Sequence, residues 1–236
     1  MMKEQSQDDQ LSQGTTPLKI AINPYCTLLL VVGVSLVAIH CVLNYLNHEV
    51  IEVPWLIQQL FDLDEENNLP TWFSSFLLLN CAIVLFVSLP SHSAAFKWQW
   101  RLLAFGFLVL SIDEVAGLHE SFHTAIDINW AIPGGILVLI VGSTFVPFLL
   151  SLPRRTAIRF VLSGTIYVAG AIVVEWLSRD MDEDAIAYGF ATALEESLEM
   201  LGTWLFLKWN LEELQDTRFH VSIIRDQKAS VTGIVD

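Results

Sequence analysis

The chain predicts an all-α polytopic membrane protein, a bundle of six transmembrane helices with both termini on the cytoplasmic side. Three observations lead there. Of its 236 residues, 53% are hydrophobic and 16% charged, a balance too apolar for an ordinary water-soluble domain. Apolar runs of about 20 residues, long enough to cross a hydrocarbon layer of about 30 Å, recur along it. Finally, Lys and Arg gather in alternate connections: Lys97 and Arg101, then Arg154, Arg155 and Arg159, then Lys208 and Arg218, against Arg179 alone in the other three loops. Basic loops stay on the cytoplasmic face, so an even number of crossings satisfies the bias.

Residues 1–23 are polar, rich in Gln, Ser, Asp and Thr, and read as a disordered cytoplasmic tail because they bury too little to fold. No apolar core follows a basic start there, so a cleaved signal peptide is not expected and the first span doubles as the insertion signal. The membrane domain covers 24–209. Its spans are expected at about 25–46, 72–89, 100–122, 131–152, 156–177 and 185–209, with a second cytoplasmic tail over 210–236. The first carries His40 and Asn44; a lone His on an apolar helix reads first as a packed, hydrogen-bonded residue, and His40 is a second-tier site candidate. The linker between the first two spans is acidic and holds a mixed apolar and polar run from Val50 to Phe61. It suits an interfacial helix or a surface-hugging loop equally.

The net charge of −14 excludes the usual nucleic-acid partners, which need clustered Lys and Arg. Cys26, Cys41 and Cys81 have no CxxC spacing and read as small buried hydrophobes, with no disulfide framework.

Function is expected where charge enters the apolar spans, since ionisable groups there are costly. The third span ends in Ser111-Ile-Asp-Glu-Val-Ala-Gly-Leu-His-Glu-Ser-Phe-His123. On a helical wheel Asp113, Glu120 and His123 share a face, with His119 at its edge, Asp127 in line if the helix continues, and Glu114 turned to a flank. Glu175 ends the fifth span. Glu195, Glu196 and Glu199 lie about 10–14 residues into the sixth, roughly 15–20 Å below its start, with Glu195 and Glu199 on one face. Three spans thus bring acids to the same half of the membrane. An upper layer is expected from His119, Glu120, His123 and Glu175, and a lower one from Asp113, Glu114, Glu195, Glu196 and Glu199. No Lys or Arg lies between Arg101 and Arg154 or between Arg159 and Arg179. Seven carboxylates cannot all stay ionised and unpaired in low dielectric, so either several carry protons or a bound cation balances them. Glu114 and Glu196, off the main faces, also suit helix-to-helix hydrogen bonding.

His119-Glu120-Ser-Phe-His123 satisfies HExxH, in which two His one turn apart bind zinc and the Glu activates water. Glu175 then supplies a third ligand and Glu120 the catalytic base. The similarity to zinc metalloproteases stops at those five residues. The register Glu120-x-x-His123 is half of the di-iron pattern of ferritin-like bundles, and Glu196-x-x-Glu199 with Asp113 makes an oxygen-rich set suited to iron or manganese. Membrane hydrolases of the alkaline ceramidase and adiponectin-receptor kind use three zinc histidines, and two stand suitably here. The DE-x4-HE helix with the later Glu-Glu-Ser-Leu-Glu resembles uncharacterised multi-pass bacterial membrane proteins, over Leu110 to Gly202. That resemblance implies a multi-pass protein of the bacterial inner membrane and carries no activity.

Two functions follow as expectations. One is a lipid-embedded protein holding a divalent metal (zinc, iron or manganese) on His119, His123, Glu120, Glu175, Asp113, Glu195 and Glu199, acting as a hydrolase or oxidoreductase if it is an enzyme. The other is a proton- or cation-coupled transporter that uses the lower carboxylates as a relay. No convincing internal repeat of the transporter kind is present.

Overall fold

Apolar spans close their backbone hydrogen bonds within themselves, and the described chain is mostly helix. The computed structural model describes residues 22–89, 96–117 and 131–216. Along them run α1 (Ile22–Glu49), the short α2 (Trp55–Phe61), α3 (Leu69–Ser88), α4 (Lys97–Ala116), α5 (Ala131–Ser151), α6 (Arg154–Val168), a π-helical turn (Ala169–Val174), α7 (Glu175–Ser178) and α8 (Ile186–Asp216). No strand occurs among the described residues.

The long helices alternate in direction, and side-chain bonds fix which ends meet. Trp204 Nε1 donates to the Cys26 carbonyl at 2.7 Å, joining late α8 to early α1. At the other end Asn44 Nδ2 of α1 donates to the Ile186 carbonyl of α8 at 3.0 Å. Helix α8 is the central element, packed against α1, α3, α6 and the π turn. Helices α3 and α4 form a second tight pair. Between them the Ser75 and Ser111 hydroxyls donate to each other's carbonyls, at 2.7 and 3.0 Å, with the two hydroxyl oxygens 3.0 Å apart. Small polar residues let helices approach closely and hydrogen-bond across the gap.

The two ends differ in charge. Lys97 and Arg101 begin α4, Arg154, Arg155 and Arg159 begin α6, and Lys208 lies late on α8. Arg159 pairs with Glu212 at 3.1 Å and Thr156 donates to Glu213 at 2.7 Å. At this basic end the buried Phe148 of α5 meets Trp100 edge-on, with centroids 5.0 Å apart. The opposite end gathers the close of α1, the linker, the start of α3, the close of α4 and the start of α8, and it is acidic.

Among the described residues, four helical segments are long and apolar enough to cross a membrane: Ile22–Glu49, Leu69–Ser88, Ala131–Ser151 and Arg154–Ser178. Their outer faces are strongly apolar, with Leu139 74% and Leu150 82% exposed, a surface that suits lipid better than water. Helices α4 and α8 match the remaining two expected spans in position but fall short on composition. Lys97, Arg101, Asp113 and Glu114 interrupt the first and Glu195, Glu196 and Glu199 the second.

Three boundaries depart from expectation. Helix α4 stops at Ala116 instead of running to residue 122, because Gly117 adopts the left-handed conformation (φ 54°) and its N–H closes on the Asp113 carbonyl at 2.8 Å. Glycine alone takes this cap without strain. Glu120 and His123, expected in line with Asp113, come after this cap and lie outside the described residues. Ahead of Glu175, the π turn inserts an extra residue per turn and changes the face on which Glu175 emerges. Helix α8 continues to Asp216, beyond the expected end at residue 209, where its contacts with Thr156 and Arg159 sustain it. The run from Val50 to Phe61 forms helix only from Trp55, with Trp55 and Leu56 exposed.

Candidate functional site: acids within the bundle

A single ring contact between α4 and α8 relates the acids of the two helices. Phe107 and Phe206 stack with centroids 4.7 Å apart. Seven residues on, almost two helical turns, α4 presents Glu114 on the same face, and seven residues back along the antiparallel α8 stands Glu199. The electrostatics agree. Glu196 is half-buried, and the charges acting on it most strongly are Glu114, Glu199, Glu195 and Asp64. Glu114, expected on a flank, thus faces the cluster. Both residues read as off-face, Glu114 and Glu196, belong to its centre.

Helix α6 closes the third side. A Cβ added at Gly170 would lie 2.6 Å from the Glu195 carbonyl oxygen, and one at Gly202 would lie 2.7 Å from Tyr167 N. Gly202 of α8 lets α6 approach and Gly170 does the same for the π turn that follows it, and the Tyr167 hydroxyl meets Glu199, its hydrogen-bond partner, with Glu114 and Glu196 also close in charge. The sequence reading did not single out Tyr167; the signal available was its position on the span that ends in Glu175.

Above this cluster, toward the acidic end, lies a polar cavity of about 130 Å³ lined by residues of α1, the linker and early α8, among them His40, Asp62, Asp64, Glu183 and Tyr188. Tyr188 donates to Asp64 Oδ1 at 2.9 Å, and Tyr188 also feels Glu175. Asp64 joins the two layers, because it acts both on Tyr188 here and on Glu196 below. It too was missed, one acid among several in a linker without periodicity. Burial raises the Asp64 carboxyl above its usual range, and Asp62, Glu183 and Glu65 push the same way, against the bond from Tyr188. A raised value means that ionisation opposes folding, so this acid contributes most below the ordinary carboxylate value of about 3.9 and loses that contribution as pH rises. Asp64→Asn is therefore expected to raise the melting temperature at about pH 8 and leave it unchanged at about pH 4, read by thermal unfolding at both.

His40 is buried, and both of its ring nitrogens are taken by the protein. Nδ1 receives the Leu63 N–H at 3.1 Å and Nε2 meets the Gly189 carbonyl at 3.0 Å. That leaves no lone pair for a metal and places His40 as a structural residue. Asp62 Oδ1 lies 3.3 Å from Nδ1. Burial would raise the Asp62 carboxyl, but His40 and the Asp64 and Leu63 N–H groups outweigh it and hold Asp62 below the usual range.

The other expected ligands divide. His119, Glu120 and His123 lie outside the described residues. Asp113 and Glu175 are half-buried, as are Glu195 and Glu199. Among the described residues, no three His, Cys, Asp or Glu side chains stand together in a way that could hold a metal ion. Cys26, Cys41 and Cys81 are free thiols.

Fold and site together define an all-helical protein with four membrane-type helices among the described residues and neighbouring acids on α4 and α8 beside Tyr167 of α6. The chain belongs to the family described as a domain of unknown function (DUF8692), which it matches over residues 27–211. No curated protein and no solved structure matches it.

Proposed function

We propose that the chain is a multi-pass integral membrane protein of the bacterial inner membrane, crossing six times with both termini cytoplasmic, that passes protons or another small cation through its carboxylates. One observation carries this reading: Glu196 sits among Glu114, Glu195 and Glu199, on helices with no Lys or Arg between Arg101 and Arg154 or between Arg179 and Lys208. Like charges brought this close favour the uptake of protons or a cation, and intramembrane acids of this kind mark ion pathways. Asp64, Tyr188 and the polar cavity supply a route from the acidic end to that depth. Lipid is the expected surrounding of the apolar outer faces, and six crossings accommodate the antiparallel helices and the basic loops together. Proteoliposomes carrying the purified chain should take up protons or a monovalent cation under an imposed gradient, where empty liposomes do not. Equal behaviour of the two under every gradient would overturn the proposal.

A second reading is a divalent metal centre, zinc, iron or manganese, on His119, Glu120 and His123 with Glu175, and Glu120 as the base of a hydrolase or oxidoreductase. It is favoured by Glu66, whose carboxylate lies against Gly117, two residues before His119 in sequence, with a buried Oε1 that has no hydrogen-bond partner among the described residues. Elemental analysis decides it. Stoichiometric metal that disappears in His119→Ala/His123→Ala supports this centre, and metal-free folded protein removes it.

A further inference from the structure

The linker that follows α1 is tied down over the acidic end at a few points, and one of them is sensitive to a single proton. His40 Nδ1 accepts the Leu63 N–H at 3.1 Å, while Asp62 Oδ1 stands 3.3 Å from the same nitrogen. An imidazole nitrogen cannot accept one bond and donate another at once. With Nδ1 bare, the linker is held through the Leu63 amide. With Nδ1 protonated, the nitrogen donates to the Asp62 carboxylate, and a neutral bond is exchanged for a charge-assisted one, which is shorter and about twice as strong. Nε2 keeps the Gly189 carbonyl in both states, so the ring need not move. The Leu63 N–H is already within reach of Asp62 as an alternative acceptor.

We infer that His40 and Asp62 form a proton-operated clamp, which holds the linker over the polar cavity more tightly when His40 is protonated. Of the charged and titratable groups that line the cavity with His40, Asp62 and Asp64 come from the linker, Glu183 and Tyr188 from the approach and start of α8, and His48 from its own helix; no Lys or Arg is among the described lining residues. Asp62, held low by its hydrogen bonds, stays ionised at about pH 5 and remains available as the partner. The far side of the clamp is firm, since Asn44 bonds the Ile186 carbonyl at 3.0 Å and His48 Nε2 lies 3.1 Å from that of Asp184.

Asp64 follows Leu63 directly and bonds Tyr188 at 2.9 Å, so the clamped segment is also the rim of the cavity above the acid cluster. As a regulator of ion passage, the clamp rests on the function proposed above: acid on the linker side would close the route. As a conformational device it stands by itself.

Hydrogen exchange of the full chain in lipid discs tests it, followed by mass spectrometry of the peptide spanning 61–68 and corrected for intrinsic exchange. Between about pH 8 and about pH 5, which bracket the ordinary imidazole value of about 6.5, protection of this peptide should rise about three- to fivefold. Asp62→Asn, which keeps the ring, should abolish the rise, and His40→Gln should make protection independent of pH. No rise in the natural protein, or a rise that survives Asp62→Asn, would overturn the clamp. Because the readout is local protection, a failure of ion uptake leaves this result unaffected, and a failed clamp leaves uptake unaffected.

Discussion

Glu196→Gln is expected to lower cation uptake by reconstituted protein about tenfold or more while leaving the fold intact. A positioned group that transfers a proton contributes on the order of a hundredfold or more to a rate, and glutamine keeps the size of the side chain but cannot exchange a proton. The same change removes one of four neighbouring carboxylates, Glu114, Glu195, Glu196 and Glu199, so like-charge repulsion falls and the melting temperature should hold or rise. Glu52→Gln, at an exposed site on the linker, should leave uptake unchanged. If Glu196→Gln transports as well as the natural protein, the cluster is not on the ion path.

Gly202→Leu is expected to destabilise the bundle by about 3 kcal/mol, because it forces atoms into a contact that has no room. A Cβ at this position would lie 2.7 Å from Tyr167 N, 2.8 Å from Ser163 O and 2.9 Å from Tyr167 Cβ. Two of these are backbone atoms of α6, which move only if the helix moves. Displacing α6 also carries Tyr167 away from Glu199, so uptake should fall along with stability. The melting temperature in detergent should drop by roughly 5–10 °C. Gly164→Ala on α6 itself, where an added Cβ meets nothing within 4 Å, should not lower it. Equal melting of Gly202→Leu and the natural protein would show that α6 and α8 do not pack through this glycine.

The positions of the long helices were legible from hydropathy because an apolar run of about 20 residues has few alternatives to a helix. Expected spans at 72–89, 131–152 and 156–177 compare with Leu69–Ser88, Ala131–Ser151 and Arg154–Ser178. Depth was legible as well: counting residues placed Glu195, Glu196 and Glu199 below the entrance of α8, where they stand near Glu114. Facing was less so. The left-handed Gly117 that ends α4 and the π turn before Glu175 are backbone irregularities that the apolar pattern does not record. Asp62, Asp64 and the His40 bonds depend on how a non-periodic linker folds back over the bundle, which is set by tertiary contacts such as the Leu63 amide on His40. Tyr167 was concealed for a different reason: a tyrosine on an apolar span reads as packing until the glycine contacts opposite it are known.

The most direct test of a proton-exchanging cluster is chemical. A hydrophobic carbodiimide dissolved in the bilayer reacts with carboxyl groups as they take up protons away from water, and mass spectrometry locates the adduct. The expected result is modification of Glu195, Glu196 or Glu199 in the peptide containing residues 194–201, with uptake lost in proportion to labelling and the adduct greatly reduced in Glu196→Gln. Full uptake in protein labelled at these acids, or no labelling of them in protein that transports, would contradict a path through the cluster.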